Sequence, residues 1–532
     1  MIPRRCGFLP LGAALALTVA ALTAGAWGLA AAGPAARGSD QGVPGHFTFA
    51  SVVRRAGDLA AGPYQPDQPA LPAFFADLNY DQYRDLRFKR DQSIWRAESL
   101  PFQVELFPRG GLFKDRVTIN LIENGKAVAV PFKSSLYKYG NKENEKDLSE
   151  VLSEVPEDLG FAGVRLLYPL NRDDVFDELA VFLGASYFRA VPQGLNYGIS
   201  ARGLAIDTGL ASKEEFPIFR EFWLEKPDRD ATSITIYALL DSASVAGAYR
   251  FLITPGLETV IDVKAQLFFR ERVKKLGLAP LTSMFFHAED TDRFMDDFRP
   301  EVHDSDGLFV ETGSGERIWR PLVNSKGLRI SDFHADNPRA FGLLQRDRDF
   351  ANYQDLEARY EKRPSALVEP DGDWGKGMVE LVQIPSDSER YDNIAAFWVP
   401  ERMPSTSKPF EYNYRLRLAA DPEAKLTGGR TLSTRIGAGG TSTLDSNKRK
   451  FVVDFIGPTL AGLPADTPVE AVVTTSVGIL SKPVVQPNPE ARGWRLFFEL
   501  SPDGDGPVDL RAYLKKGDDV LSETWSFQWN RE

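Results

Sequence analysis

From Arg116 to Phe132 apolar and polar residues alternate with a period of two. Val117, Ile119 and Leu121 share one face. Asn124-Gly125 offers the positive φ angles of a tight type I′ turn, and Val128 and Val130 return on a second strand. Ile234–Leu240 and Gly247–Thr254 read as further strands, with Asp241-Ser242 and Pro255-Gly256 as turn punctuation. Helical patterning is sparse: Leu71–Leu78 and Leu356–Lys362 are the two short candidates. Many short strands between Gly, Pro and Asp turns predict an all-β chain of antiparallel sheets packed face to face.

The polar, proline-bearing stretch 401–408 reads as a linker between a large domain over 39–400 and a smaller one over 409–532. Beyond it Phe410, Tyr412, Tyr414, Leu416 and Leu418 alternate with polar residues. The pattern continues through Phe451–Phe455, Val469–Thr474, Trp494–Leu500, Val508–Leu514 and Thr524–Trp529. Six or seven strands in about 125 residues predict a small immunoglobulin-like sandwich.

The N-terminus follows another grammar. Arg4-Arg5 precedes a run from Phe8 to Ala32 rich in Ala, Leu, Gly and Thr, and Ala30-Ala31-Ala32 offers a cleavage site. Residues 1–38 therefore read as an export signal of twin-arginine type, with general secretion and an uncleaved anchor as the alternatives. Removing them takes away three arginines and moves the formal charge from −11 to −14. It also removes Cys6, the single cysteine, so no disulfide or thiolate metal site is expected. No later run is long enough to span a bilayer, so the mature protein is expected not to be membrane-embedded.

An acidic chain, with a pI near 5.2, is a poor partner for nucleic acid. The four histidines, His46, His287, His303 and His334, show no zinc spacing, and phosphate-binding or nucleophile-elbow motifs are absent. What remains is carboxylates amid turns and aromatics: Asp296–Gly307, Glu369–Gly375 and Glu389–Asn393, with Trp319, Tyr353, Trp374, Tyr391 and Trp398 at hand. Carboxylates across a cleft can divide acid and base roles in glycoside hydrolysis, and flat rings can seat sugars. The plain alternative is that Asp-Ser-Asp-Gly and Asp-Gly-Asp are ordinary turns and His303 a hydrogen-bonded structural residue. The closing Glu of a calcium loop is missing, so no metal and no cofactor are expected.

At these residues the chain resembles the periplasmic glucans biosynthesis protein G/D family. The matching stretches are Leu78–Phe88, Phe182–Arg189, Tyr197–Ile206, Ala238–Ser242, Ala279–Met284, Arg299–Leu308, Ile318–Leu322, Phe341–Arg346, Arg363–Ser365 and Asp392–Ile394. The likeness runs from about Phe47 to Glu523–Ser526. It implies a galactose-mutarotase-like N-terminal β-sandwich followed by an immunoglobulin-like one. It also implies a periplasmic role in making osmoregulated glucans with a β-1,2-linked glucose backbone, by inverting hydrolysis or transglycosylation. The family's paired aspartates fall on Asp304 and Asp392. Asp392 would be the general acid, and Asp304 the base acting through a relay of hydroxyls. Glu389, His303 and Asp306 would support them, and Trp319, Arg320, Arg346, Tyr353, Trp374 and Tyr391 would contact glucan.

The paired arginines favour the D branch. Leu367 and Gln383 stand where Trp and Glu are common in the family, which puts one sugar subsite in question. The alternative function is a non-catalytic glucan-binding or assembly factor working with the inner-membrane glucan synthase. An aldose epimerase, suggested by the fold analogy, is a third. The expected partners are β-1,2-glucan, that synthase and a second copy of the chain.

Overall fold

Along the strand Thr259–Phe269 buried residues alternate with half-buried ones, so one face meets a core and the other meets solvent. The strand belongs to a computed structural model that describes residues 46–139, 155, 159–291, 295–440 and 443–531. The segment 1–38, read above as an export signal, lies outside them.

Two large sheets face one another. One is ten-stranded and runs from Gln103–Pro108 at one edge to Arg329–Asp336 at the other. Leu276–Ser283, Ile394–Pro400 and Lys376–Gln383 are adjacent near its second edge. The other is fifteen-stranded and carries the predicted hairpin, Thr118–Glu123 with Lys126–Ala129, at its end. Its turn is as expected, with Asn124 at φ 50° and Gly125 at φ 75°. Between the sheets Phe182, Phe188, Phe219, Phe222 and Phe251 meet largely edge to face. Such pairs add about 0.5–1.5 kcal/mol each beyond the area they bury.

Three sequence expectations change. The expectation of only two short helices changes: Phe49–Ala60 is a further helix, with Phe49, Val52, Val53, Ala56 and Leu59 recurring at helical spacing. They pack on Trp223, Tyr237, Leu239 and Ala248. The candidate Leu71–Leu78 shrinks to Ala73–Ala76, and Leu356–Lys362 becomes a turn followed by one 3₁₀ turn over Tyr360–Lys362.

The third change concerns the boundary. Phe410–Ala419, expected to open the second sandwich, lies instead in the first. It pairs with Thr259–Phe269 on one side and Ser365–Asp371 on the other. Its alternating Tyr412, Tyr414, Leu416 and Leu418 fill the first core, where strands on both flanks satisfy its backbone. Alternation identifies a strand but not its sheet.

The second sandwich takes its inner face from Arg430–Gly439, Asp445–Ile456 and Gly493–Ser501, opposed by Glu470–Thr475, Val508–Lys516 and Thr524–Trp529. Thr524–Trp529 also pairs in parallel with Arg317–Pro321, matching Ile318 with Thr524 and Trp319 with Trp525. One sheet thus runs through both sandwiches, and the second core takes in Phe309, Trp319, Leu344 and Leu367 from the first.

Candidate active site

Two neighbouring residues, Met284 and Phe285, hold both candidate aspartates. The Asp304 backbone N–H donates to the Met284 carbonyl at 2.8 Å. Asn393, next to Asp392, accepts from Phe285 N at 2.8 Å and donates to its carbonyl at 2.9 Å. A third bond from Asn393, to the Ile384 carbonyl at 3.1 Å, fixes the entry to the strand Ile394–Pro400. A side-chain amide that mimics a ladder pair is why Asn suits this position. Beside Asp304, Ser305 and Ser283 share a buried hydroxyl–hydroxyl bond of 2.7 Å.

The Asp392 side chain is 13% exposed and sits 3.4 Å from Arg189 Nη2. Burial pushes its carboxyl up to about 6. Arg189 opposes that, the charge of Asp304 adds to it, and Arg202 and Arg363 act against it more weakly. Asp304 is buried, with Arg363 Nε 3.4 Å from its Oδ1. Arg363 is anchored in turn by a bond to the Tyr197 carbonyl.

Tyr360 lies near Asp304 and Glu389. Its hydroxyl donates to Glu389 Oε2 at 2.8 Å. Burial, then the charges of Asp304 and Glu389, hold its proton well above the usual phenol range. The same Glu389 oxygen accepts from Arg299 Nη1 at 2.7 Å, and Arg299 also grips Asp297 and Asp355 at 2.8 and 2.9 Å. One guanidinium therefore ties three loops together. Chemically, the site holds a largely buried carboxyl able to carry a proton near neutrality, a second aspartate beside a cation, and a neutral hydroxyl near that second aspartate.

The other candidates separate into frame and surface. His303 is buried, 3.0 Å from Glu301 Oε2 and Gln345 Oε1 and 3.3 Å from Asp306. Burial alone would lower its pKa; the bond to Glu301 and the nearby acids outweigh it and raise it to about 9. Asp306 accepts from the backbone N–H groups of Arg346 and Asp347. Both residues brace the loop carrying Asp304.

Four expected glucan contacts are corrected. Trp319 lies in the second core with Arg346 3.6 Å from its ring centre. Its indole also rests on Gly307, where a Cβ would come within 2.3 Å of it. Arg346 is buried between Glu423 and Glu523, at 2.8 and 2.7 Å. Arg320 is buried against Ser331 and Ser526. Tyr353 is buried, donating to the Asp347 carbonyl and accepting from Gln345 Nε2. The parallel pairing through Thr524–Trp529 is what closes over Trp319, and no local pattern announces it.

Tyr391, 37% exposed and adjacent to Asp392, stays at the surface of the site. Trp374 is half-buried, but at the far end of the sandwich. Leu367 packs in the second core, and the Gln383 side chain accepts a hydrogen bond from Val323 N at 2.9 Å. Arg189, Arg363, Tyr360 and Arg299 were not singled out. Arg189, Arg299 and Arg363 lie inside the matching stretches, which was the available signal.

A family model described as "Periplasmic glucan biosynthesis protein, MdoG" matches residues 47–529. A glucans biosynthesis protein G of Ralstonia nicotianae is 48% identical over 489 residues, covering 90% of this chain and 95% of that protein. One of Rhodopseudomonas palustris is 48% identical over 478 residues, covering 90% and 92%. One of Vibrio cholerae is 46% identical over 490 residues, covering 91% and 87%. These relatives bear the G name, and nothing in them favours the D branch.

Proposed function

Because the chain belongs to the periplasmic glucan biosynthesis protein MdoG family, we propose that it works in the periplasm as an inverting hydrolase or transglycosylase of β-1,2-glucan, trimming or remodelling the backbone. The observation that carries this reading is the largely buried Asp392, held 3.4 Å from Arg189, whose carboxyl is raised to about 6 within the field of a second aspartate, Asp304.

Inversion needs an acid at the glycosidic oxygen and a base that activates a nucleophile on the opposite face of the sugar. Asp392 is the acid. A carboxyl raised to about 6 holds its proton in a substantial fraction of molecules near neutrality and can give it up in the transition state. Asp304, paired with Arg363, is the base. In the relay the Tyr360 hydroxyl takes the proton of the attacking hydroxyl and passes its own to Asp304, for which it turns from the Glu389 carboxylate that orients it here. If that hydroxyl belongs to water the reaction is hydrolysis; if it belongs to a sugar, it is transfer. Positioned acid–base groups of this kind contribute typically 10²–10⁴-fold each.

No helix among the described residues is long and apolar enough to cross a membrane. That accords with a protein meeting glucan as it leaves an inner-membrane synthase. The test is incubation of the protein with linear β-1,2-glucan followed by product sizing. Shortened or redistributed chains support catalysis. Chains bound but unchanged support the second reading, an assembly factor.

A further inference from the structure

The strand Ile394–Pro400 begins next to the candidate acid and ends at a separate cavity. Eight residues of extended chain from Asp392 to Pro400 span roughly 26 Å. The cavity, of about 410 Å³, opens at the end of the sandwich, where the chain crosses from one sheet to the other. Its size falls within the ordinary range of small-ligand sites. Asp373, Trp374, Lys376, Glu401, Arg402 and Tyr412 are among its lining residues.

The floor is preformed. Trp374 meets Tyr412 and Tyr414 edge-on, at 81° and 84°, and its Nε1 donates to the Asn413 carbonyl at 3.1 Å. These contacts fix the plane of the ring. The loop carrying it is bracketed by Gly372 at φ 96° and Gly375 at φ 68°, a backbone that side-chain-bearing residues rarely adopt. Gly375 N donates to Asn337 Oδ1 at 2.6 Å and to Asp373 Oδ1 at 2.9 Å, and Asn337 N returns a bond to the Gly375 carbonyl. Trp374 is therefore presented by a pinned turn.

The rim is exposed and uncommitted. Lys376, Glu401 and Arg402 have no side-chain hydrogen bond or ion pair among the described residues. Beneath them, buried in the same aromatic cluster, the Trp398 indole N–H and the Tyr414 hydroxyl lack a protein partner. Charges of both signs around an aromatic floor discriminate against a strongly charged ligand. They suit one whose groups each donate and accept, which is what sugar hydroxyls do.

We infer that this cavity is a second, non-catalytic glucan-binding site. It seats one glucose unit on Trp374 while Lys376, Glu401 and Arg402 hydrogen-bond its hydroxyls, holding a distal part of the chain whose scissile bond lies at Asp304 and Asp392. The inference rests on the functional reading above, since it takes β-1,2-glucan as the ligand. Two sites on one chain raise the affinity for glucans long enough to reach both and do nothing for short ones.

The test compares binding by calorimetry in an Asp392→Asn background, which prevents turnover. The probes are long linear β-1,2-glucan and a β-1,2-linked oligosaccharide too short to bridge the sites. Arg402→Ala with Lys376→Ala, both at exposed side chains, should weaken long-chain binding by about tenfold or more, a part of the roughly 10²–10⁴-fold that a tethered second site can add. Short-oligosaccharide affinity at the groove should stay the same. Unchanged long-chain affinity alongside intact short-chain binding overturns the second site and leaves the catalytic reading standing. Absence of any glucan binding by the Asp392→Asn protein overturns both.

Discussion

The Tyr360 hydroxyl donates to Glu389 Oε2 at 2.8 Å, and Arg299 holds that same oxygen at 2.7 Å from the other side. The phenol is thus oriented by an anion that is itself held in place. It faces Asp304, whose charge helps keep its proton on. Tyr360→Phe removes the hydroxyl and leaves the ring. Turnover of β-1,2-glucan should fall about 10²-fold, the scale of one proton-transfer partner. Thermal stability should change by about 1 kcal/mol, the net value of one hydrogen bond. A rate equal to the unsubstituted protein would remove Tyr360 from the relay.

Asp392 sets the pH dependence. Its carboxyl goes from an ordinary 3.8 to about 6 in the folded protein, chiefly through burial. On the proposed mechanism the reactive form is the protonated one, so the rate should fall as pH rises above about 6. A raised carboxyl pKa also means that the folded state binds the proton more tightly than the unfolded state does. The stability this gives is complete below about 3.8 and is lost as pH rises through about 6. Two units correspond to about 3 kcal/mol. Asp392→Asn should therefore melt higher than the unsubstituted protein at pH 8, a comparison read by calorimetry.

Arg189 opposes the effect of burial on Asp392 from 3.4 Å. Arg189→Ala should let the acid rise further, moving the alkaline limb of the rate profile to higher pH. An unmoved limb would mean that the pair does not govern the titration.

Trp319, Arg320, Tyr353 and Arg346 show where sequence reasoning stopped. Trp319 and Tyr353 stand near turns and acids, which suggested a binding surface, and the family resemblance added Arg320 and Arg346. Yet Arg320, Arg346 and Trp319 are covered by residues distant along the chain, Ser526, Glu423 with Glu523, and Trp525, and Tyr353 is buried among its own neighbours Gln345 and Asp347. Strand alternation made the all-β class and the Asn124-Gly125 hairpin legible, because both are local. Sheet membership is not local, which is why Phe410–Ala419 was placed one sandwich too late. Asp304 was legible because it sits in the long stretch Arg299–Leu308, and Asp392 through the family resemblance that the short Asp392–Ile394 shares. Their link through Met284 and Phe285 depends on strand order, which no periodicity encodes.

Arg346 gives a structural prediction. It is buried with two carboxylates, Glu423 and Glu523, at the junction of the sandwiches. Arg346→Ala leaves two buried acids without their cation and should cost about 3–5 kcal/mol. Denaturant unfolding measures this. A loss of glucan affinity with stability intact would return Arg346 to the binding surface.

The central claim is that Asp392 is the proton donor in cleavage or transfer of β-1,2-glucan. The most direct measurement is the rate at which linear β-1,2-glucan is shortened or redistributed by the unsubstituted protein and by Asp392→Asn, with binding measured alongside. The account predicts turnover by the former and a loss of about 10³-fold or more in the latter, at the same affinity. An Asp392→Asn protein that works at the unsubstituted rate would contradict it.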